Sequence, residues 1–284
     1  MLNPYLLSDA LLSSWLLEDA PTGDLTGLLL GFSERRGVLH FTARDPMRVC
    51  GCEEALRMGQ LRGLTRSGAM AASGQWLQPG EPILSLGGTA SELMAVWKMA
   101  QTLMEYLSGI ASYTAELVAL AQQARPGVVV SCTRKHFPGS KAAAIKAILC
   151  GGAVPHRLGL SDSLLLFAEH RQFMPQLGPV ELVQHYRQHT PERKLVVEVA
   201  TADEALAWAR AGVDVLQLEK FTPPQIAALR AELGSLARVP LIAAAGGIQL
   251  QNVCAYAASG ADVLVTTAPY LAPPRDVQVR VTPE

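Results

Sequence analysis

The chain has 284 residues, 49% of them hydrophobic and 17% charged, with a formal net charge of -1. That composition describes a compact, well-buried globular protein and excludes the global basic field that favours nucleic acid. The low charge fraction also predicts apolar surface buried between subunits, and hence a homo-oligomer. Cys50, Cys52, Cys132, Cys150 and Cys254 are irregularly spaced and lack zinc-ligand spacing, so they read as buried thiols in a reducing cytoplasm. The start carries no basic n-region or cleavage site, and no apolar run reaches the ~18 residues that span a membrane. The expectation is a soluble, cytoplasmic protein.

In chain order, the first ninety residues are rich in Gly and Pro. Short alternating runs such as Gly37–Ala43 and Glu81–Leu86 are separated by turn signals at Ser73-Gly74 and Pro79-Gly80. This predicts a small α/β domain of mostly antiparallel strands over residues 1–103. A helical stretch from Ser91 to Gln123 follows, with an interruption predicted near Ser108-Gly109. Val128–Val130 reads as a buried strand, 140–150 as an Ala-rich helix stopped by Gly151-Gly152, and Ser163–Phe167 as a further apolar run. Strand-like runs then recur at Leu195–Val199, Val213–Leu218, Pro240–Ala245 and Asp262–Thr267. Helical runs at 203–211, 223–233 and 249–259 lie between them and end at Gly212, Gly234 and Gly260. Glu198 and Glu219 stand 21 positions apart, and Ile242 and Leu264 stand 22 apart. That is one strand, one helix and two short loops per unit, the rhythm of a parallel α/β barrel. Six or seven strands are available, so the barrel over residues 104–268 is expected to be incomplete. The tail 269–284, with Val277, Val279 and Val281 alternating, is expected to return to the first domain as a strand.

The chemistry gathers where barrel strands end, the face on which such folds build their sites. Arg134 and Lys135 follow the first barrel strand, and His156 and Arg157 follow the next chain reversal. Paired fixed cations around one hollow make a receptor for carboxylates or phosphates; the alternative is two solvated loop ends. Glu198 and Glu219 on consecutive strands suit Mg2+ or ligand hydroxyls, or else pair with neighbouring cations. Gly246-Gly247 leads from a strand toward a helix start, where backbone N–H groups can cradle a phosphate, or serves as a plain tight turn. Lys220 occupies a position that would suit a Schiff-base lysine but reads more simply as a partner of Glu219. His40 and His170 read as core or supporting residues, and His185 with His189 as a solvated helix face.

These residues resemble the nicotinate-nucleotide pyrophosphorylase (quinolinate phosphoribosyltransferase) family over nearly the whole chain. The resemblance is carried by Glu18-Asp19 with Gly23-Asp24-Leu25-Thr26, by Gly74–Leu84 and by Leu107-Ser108-Gly109-Ile110-Ala111. It continues in order through Thr133-Arg134-Lys135, Pro138-Gly139, His156–Asp162 and Ala244–Ile248. It implies an N-terminal α/β open sandwich joined to an incomplete α/β barrel, in a homodimer whose active sites are composite. It implies condensation of quinolinate with phosphoribosyl pyrophosphate, with Mg2+, to give nucleotide, pyrophosphate and CO2. By position, Lys98, Arg134, Lys135, His156 and Arg157 would bind the anionic substrate, with Lys98 reaching across the dimer. Gly246, Gly247, Thr266 and Thr267 would bind phosphate. Glu198 and Glu219 would hold ribose hydroxyls and metal, and with Lys135 would act at the reacting centre.

The chain departs from the family at several of these places. Trp97-Lys98 stands where the family has Glu-Arg, Cys132 where it has Asp, and Phe167 where it has a carboxylate-binding lysine. Glu219-Lys220 replaces Asp-Asn, Ala243-Ala244-Ala245 replaces Glu-Ala-Ser, and Thr266-Thr267 with Pro269 replaces a glycine-containing phosphate loop. This set resembles the ModD branch, found with molybdate-transport genes. Phe167 removes a charge-assisted bond of about 1.5–3 kcal/mol and adds an apolar wall, which disfavours a dianionic base. A non-catalytic protein binding an oxyanion or nucleotide of molybdenum metabolism is the alternative function.

Overall fold

The computed structural model describes residues 7–284; the first six, on which the expected absence of a leader partly rests, lie outside them. In chain order the elements begin with α1 (Asp9–Asp19), α2 (Leu25–Leu30), β1 (Arg36–Ala43), β2 (Met47–Arg48) and α3 (Cys52–Leu61). Next come β3 (Thr65–Arg66), β4 (Trp76–Leu77), β5 (Pro82–Thr89) and α4 (Ala90–Ala124). They continue with β6 (Val129–Cys132), α5 (Lys141–Cys150), β7 (Val154–Pro155), β8 (Leu164–Leu166), α6 (Ala168–Gln172), α7 (Pro179–His189) and β9 (Leu195–Val199). The last are α8 (Ala202–Ala211), β10 (Val215–Glu219), α9 (Pro223–Leu233), β11 (Leu241–Ala245), α10 (Val253–Ala258), β12 (Val263–Thr266) and β13 (Val277–Pro283). The fold is mixed α/β, with a four-stranded antiparallel sheet, a two-stranded antiparallel ribbon and a seven-stranded parallel sheet. No described helix is long and apolar enough to cross a membrane.

One compact unit takes in the chain up to Ala115, His136–Gly152 and Pro269–Glu284. Its main sheet has the order β13-β1-β5-β3, antiparallel throughout, with β2 and β4 forming a separate ribbon. Strand β1 alternates strictly, burying Leu39, Phe41 and Ala43. His40 is no core residue: Ser85 Oγ and Thr282 Oγ1, each 2.9 Å away, hold its two ring nitrogens. Helix α4 runs through Ser108-Gly109 without the expected break. A Cβ at Gly109 would run into the Pro273 carbonyl, so the glycine serves a close approach and not a helix stop. Ser108 Oγ accepts the Cys50 N–H at 3.0 Å, and Ser112 Oγ accepts that of Arg48 at 2.8 Å.

Beneath this sheet Lys146 of α5 is fully buried, its Nζ 2.7 Å from Glu53 Oε2 and 2.5 Å from Glu54 Oε2. Burial alone would lower the lysine pKa. The two carboxylates outweigh it, and the net shift is upward. Burial also works against Glu53, but the Lys146 and Ser73 hydrogen bonds hold it below its usual range.

The second unit comprises Glu116–Lys135 and Ala153–Ala268. Its seven strands lie in the order β7-β6-β12-β11-β10-β9-β8, and every pairing is parallel. The end strands β7 and β8 do not pair, so the barrel is open. Leu216, Leu218, Ile242, Ala244 and Leu264 are buried on one face of the sheet, whereas Val215, Ala243, Ala245 and Val265 pack together on the other. The bottoms of the strands are tied by one repeated device. Asp214 Oδ2 accepts the Leu195 N–H at 2.9 Å, and Asp262 Oδ2 accepts that of Ile242 at 2.9 Å. Each aspartate also takes arginine: Arg238 on Asp214, and on Asp262 both Arg230, with its two terminal nitrogens, and Arg125.

Replacing Lys146 by Met would leave Glu53 and Glu54 facing each other without their cation. A loss of about 3–5 kcal/mol is expected in urea unfolding. An unchanged midpoint would show that the buried ions contribute no net stability.

Candidate active site

The barrel unit brings most of the expected site residues to the C-terminal ends of its strands. Arg134 and Lys135 are exposed just beyond β6, and His156 and Arg157 follow β7 directly. The His156 N–H donates to the Cys132 carbonyl at 2.8 Å, which joins the two loops. Arg157 is only 6% exposed, yet it makes no ion pair among the described residues. Its guanidinium lies over the Phe167 ring, 5.4 Å from the centroid. Desolvation and the neighbouring Arg134 both lower its pKa. Asp162 opposes that shift without forming an ion pair with Arg157. Desolvation also lowers His156, assisted by Arg157 and Arg134, so the imidazole is neutral at pH 7. Cations crowded in this way store electrostatic repulsion that an anion would relieve.

Phe167 leaves β8 with its ring stacked on His170, centroids 5.7 Å apart, while His170 Nδ1 accepts the Phe167 N–H at 3.0 Å. His170 is exposed and not a core residue; its work is to hold that aromatic wall. Lys98, on α4 in the other unit, is exposed, with Nζ 3.3 Å from Gln101 Oε1 and 4.9 Å from the Trp97 ring centroid.

On β9 the Glu198 carboxylate is half-buried and held above its usual range, chiefly by desolvation and further by Glu219 and Glu169. A hydrogen bond from Gln217 and the charge of Lys135 oppose that shift. Glu219 ends β10, one residue later than the sequence places the strand end. Lys220 adopts the left-handed conformation at φ 59°, and its exposed Nζ lies 3.9 Å from Glu219 Oε1. That pairing is the plainer of its two expected roles.

The glycine pair does not open a helix. Gly246 and Gly247 have φ of 98° and 72°, and α10 begins only at Val253, after a turn in which Asn252 Nδ2 donates to the Gly247 carbonyl at 2.9 Å. A Cβ at Gly246 would lie 2.9 Å from Lys220 Cγ and 3.2 Å from its backbone nitrogen. The Thr266 hydroxyl is spent inside the fold, donating to the Ile248 carbonyl at 2.6 Å and accepting from the Ala268 N–H at 3.0 Å. Thr267 Oγ1 lies 2.8 Å from Thr133 Oγ1. Among the described residues no three His, Cys, Asp or Glu side chains gather as a metal-binding group.

Known proteins match this arrangement. The model for the quinolinate phosphoribosyl transferase C-terminal domain matches residues 110–280, and that for the N-terminal domain matches residues 24–108. The chain belongs to the quinolinate phosphoribosyl transferase family. It is 46% identical over 248 residues to the "Putative pyrophosphorylase ModD" of Rhodobacter capsulatus, covering 87% of this chain and 95% of that protein. It is 32% identical to a "Probable nicotinate-nucleotide pyrophosphorylase (carboxylating)" of Archaeoglobus fulgidus, over 73% of this chain and 80% of that one. The crystal structure of NadC from Streptococcus pyogenes superposes with a TM-score of 0.88 at 22% identity, covering 97% of this chain and 96% of that chain. At that identity the likeness speaks for the fold.

Within this quinolinate phosphoribosyl transferase fold, one polar residue at the site escapes sequence reasoning. Gln217, 5% exposed, pairs in register with Glu198 on one side and Ala243 on the other. Its Nε2 donates to Glu198 Oε2 at 2.7 Å, and its Oε1 is enclosed without a partner. The available signal was a lone amide in the apolar run Val215–Leu218.

Replacing exposed Arg134 by Gln removes one of the charges that lower His156. Its NMR titration midpoint is then expected to move up toward ~6.5. Because the folded-state pKa lies below the unfolded one, stability is lost as pH falls below that ordinary value, and the variant should lose less. An unmoved midpoint would assign the shift to burial and Arg157.

Proposed function

We propose that the protein is a phosphoribosyltransferase of the nicotinate-nucleotide pyrophosphorylase type, joining an anionic planar base to phosphoribosyl pyrophosphate. The observation that carries this reading is the juxtaposition, on one barrel rim, of Arg134, Lys135 and Arg157, none of them in an ion pair among the described residues, with the carboxylates of Glu198 and Glu219. Cations suit the carboxylate of a base and the leaving pyrophosphate, while carboxylates suit ribose hydroxyls. With quinolinate the products would be the mononucleotide, pyrophosphate and CO2.

Catalysis on this reading is positioning and electrostatics. Arg134, His156 and Arg157 orient the base, with neutral His156 able to donate one hydrogen bond without adding charge. Lys135, near Glu198, meets negative charge as the C1–oxygen bond to pyrophosphate breaks. Glu198 and Glu219 would hold Mg2+, which neutralises the pyrophosphate when bound. Two carboxylates with no third His, Cys, Asp or Glu gathered to them among the described residues suit an ion that keeps its waters and shares substrate phosphates. Gly246 and Gly247 offer backbone N–H groups to the 5′-phosphate, with Thr267 beside them. Thr266 acts by fixing the loop, since its hydroxyl is already engaged. The assembly proposed is a cytoplasmic homodimer in which Lys98 adds a cation to the partner's site.

A second reading, an oxyanion- or nucleotide-binding protein of molybdenum metabolism, is favoured by the engaged Thr266 hydroxyl and by the absence of a helix start at Gly246-Gly247.

Thermal shift against phosphoribosyl pyrophosphate, quinolinate, nicotinate and molybdate, each with and without Mg2+, separates the two. Stabilisation of several degrees by phosphoribosyl pyrophosphate with Mg2+ supports the transferase. A response to molybdate alone supports the binder. For the composite site, mixing Lys98→Ala with Arg157→Ala is expected to restore part of the binding lost in each, and no recovery would refute it.

A further inference from the structure

Gln217 is an unusual residue to find inside this barrel. Its amide, buried level with Ala243 on the strand face that carries Val215, Ala243 and Ala245, has two donors and an acceptor to satisfy, and among the described residues it makes one bond. An enclosed carbonyl without a partner costs roughly 1–3 kcal/mol. The orientation of the amide follows from its neighbour. Glu198 Oε2 needs a donor, so Nε2 must face it and Oε1 must turn to the apolar side.

The effect on Glu198 is specific. Its two oxygens are made unequal. Oε2 is occupied by Gln217, whereas Oε1 makes no hydrogen bond among the described residues and is not sealed off as the Gln217 carbonyl is. The main chain at Glu198 is fixed as well. Arg171 of α6 donates to the Glu198 carbonyl at 3.3 Å, pairs with Glu204, and lies 5.7 Å from the Trp208 ring centroid. Glu204 Oε2 accepts the Ala200 N–H at 3.0 Å. Backbone and side chain are thus held from two directions, leaving one oxygen atom for a ligand.

We infer that Gln217 is a positioning residue. It holds the Glu198 carboxylate in one rotamer so that Oε1 alone is presented, for a single contact with the sugar-phosphate substrate or its Mg2+. The residue takes no part in binding the base, whose cations lie beyond β6 and β7. This inference rests on the transferase reading for the name of the ligand but not for the geometry. The charges facing Glu198 are Glu219 and Glu169 on one side of the balance and Lys135 on the other. Without the amide, repulsion from the two carboxylates would turn Glu198 away.

The test uses Gln217→Met, which keeps the length and removes both polar atoms. In crystals of the ligand-free variant, the Glu198 side chain is expected to leave its present rotamer or split into several; an unmoved carboxylate overturns the inference whether or not the protein is a transferase. The melting temperature is expected to hold or rise, because the stranded carbonyl is gone, and a fall of many degrees would show a structural role instead. By calorimetry, the affinity for phosphoribosyl pyrophosphate with Mg2+ is expected to fall by about tenfold, the loss of one charge-assisted contact. The affinity for nicotinate should not change. In a Glu198→Ala background, Gln217→Met should have no further effect, and an equal drop there overturns the inference. If the wild-type chain binds no phosphoribosyl pyrophosphate, the transferase reading fails, and the crystals still decide the role of Gln217.

Discussion

The parallel register of β9, β10 and β11 is the constraint on which the site depends. Glu198, Gln217 and Ala243 stand level across three strands, and Glu219 and Ala245 stand level one pleat further on. Because side chains alternate, a slip of one residue in any of these strands would send its polar groups to the helix-covered face. The register is set far from the chemistry, at the strand starts. There Asp214 and Asp262 each catch the first amides of the preceding strand and are themselves held by arginines. Stability is built at one end of the barrel and ligand chemistry at the other, a division that parallel barrels permit.

Charge is scarce in this chain, and its distribution shows two contrasting uses. In the first unit Lys146 is completely enclosed, with two carboxylates against it, so the charges are satisfied locally. On the barrel rim Arg157 is nearly as buried, but it has no ion pair; Arg134, neutral His156 and an aromatic ring adjoin it, and Asp162 offsets its charge only from a distance. The first arrangement binds segments of the chain together. The second keeps positive potential that an added anion would cancel, the imbalance expected of a binding surface.

Much of this was legible in the sequence because periodicity and punctuation are local. The 21- and 22-residue spacings marked the barrel units and put Glu198 and Glu219 on consecutive strands, while the strand run Val128–Val130 and the glycine stop at Gly151-Gly152 placed Arg134 and His156. What failed depended on contacts distant in sequence. Gly109 looked like a helix break because nothing nearby reveals the Pro273 carbonyl that requires it. For His40 the sequence left core and supporting roles open, because its partners, Ser85 and Thr282, arrive from two other strands. Cys254 is exposed while the other four cysteines are buried, a matter of which helix face meets the sheet. Gln217 was invisible as a site residue because its meaning lies in a cross-strand neighbour.

The left-handed Lys220 and the doubled glycine after β11 have a consequence for how this rim can vary. Lys220 donates its N–H to the Ala245 carbonyl at 2.8 Å, and its side-chain stem fills the space where a Cβ of residue 246 would stand. The two loops therefore interlock like teeth of adjoining gears. A substitution at 246 would have to be accompanied by a backbone change at 220, so these two positions are expected to drift together, as one inherited unit.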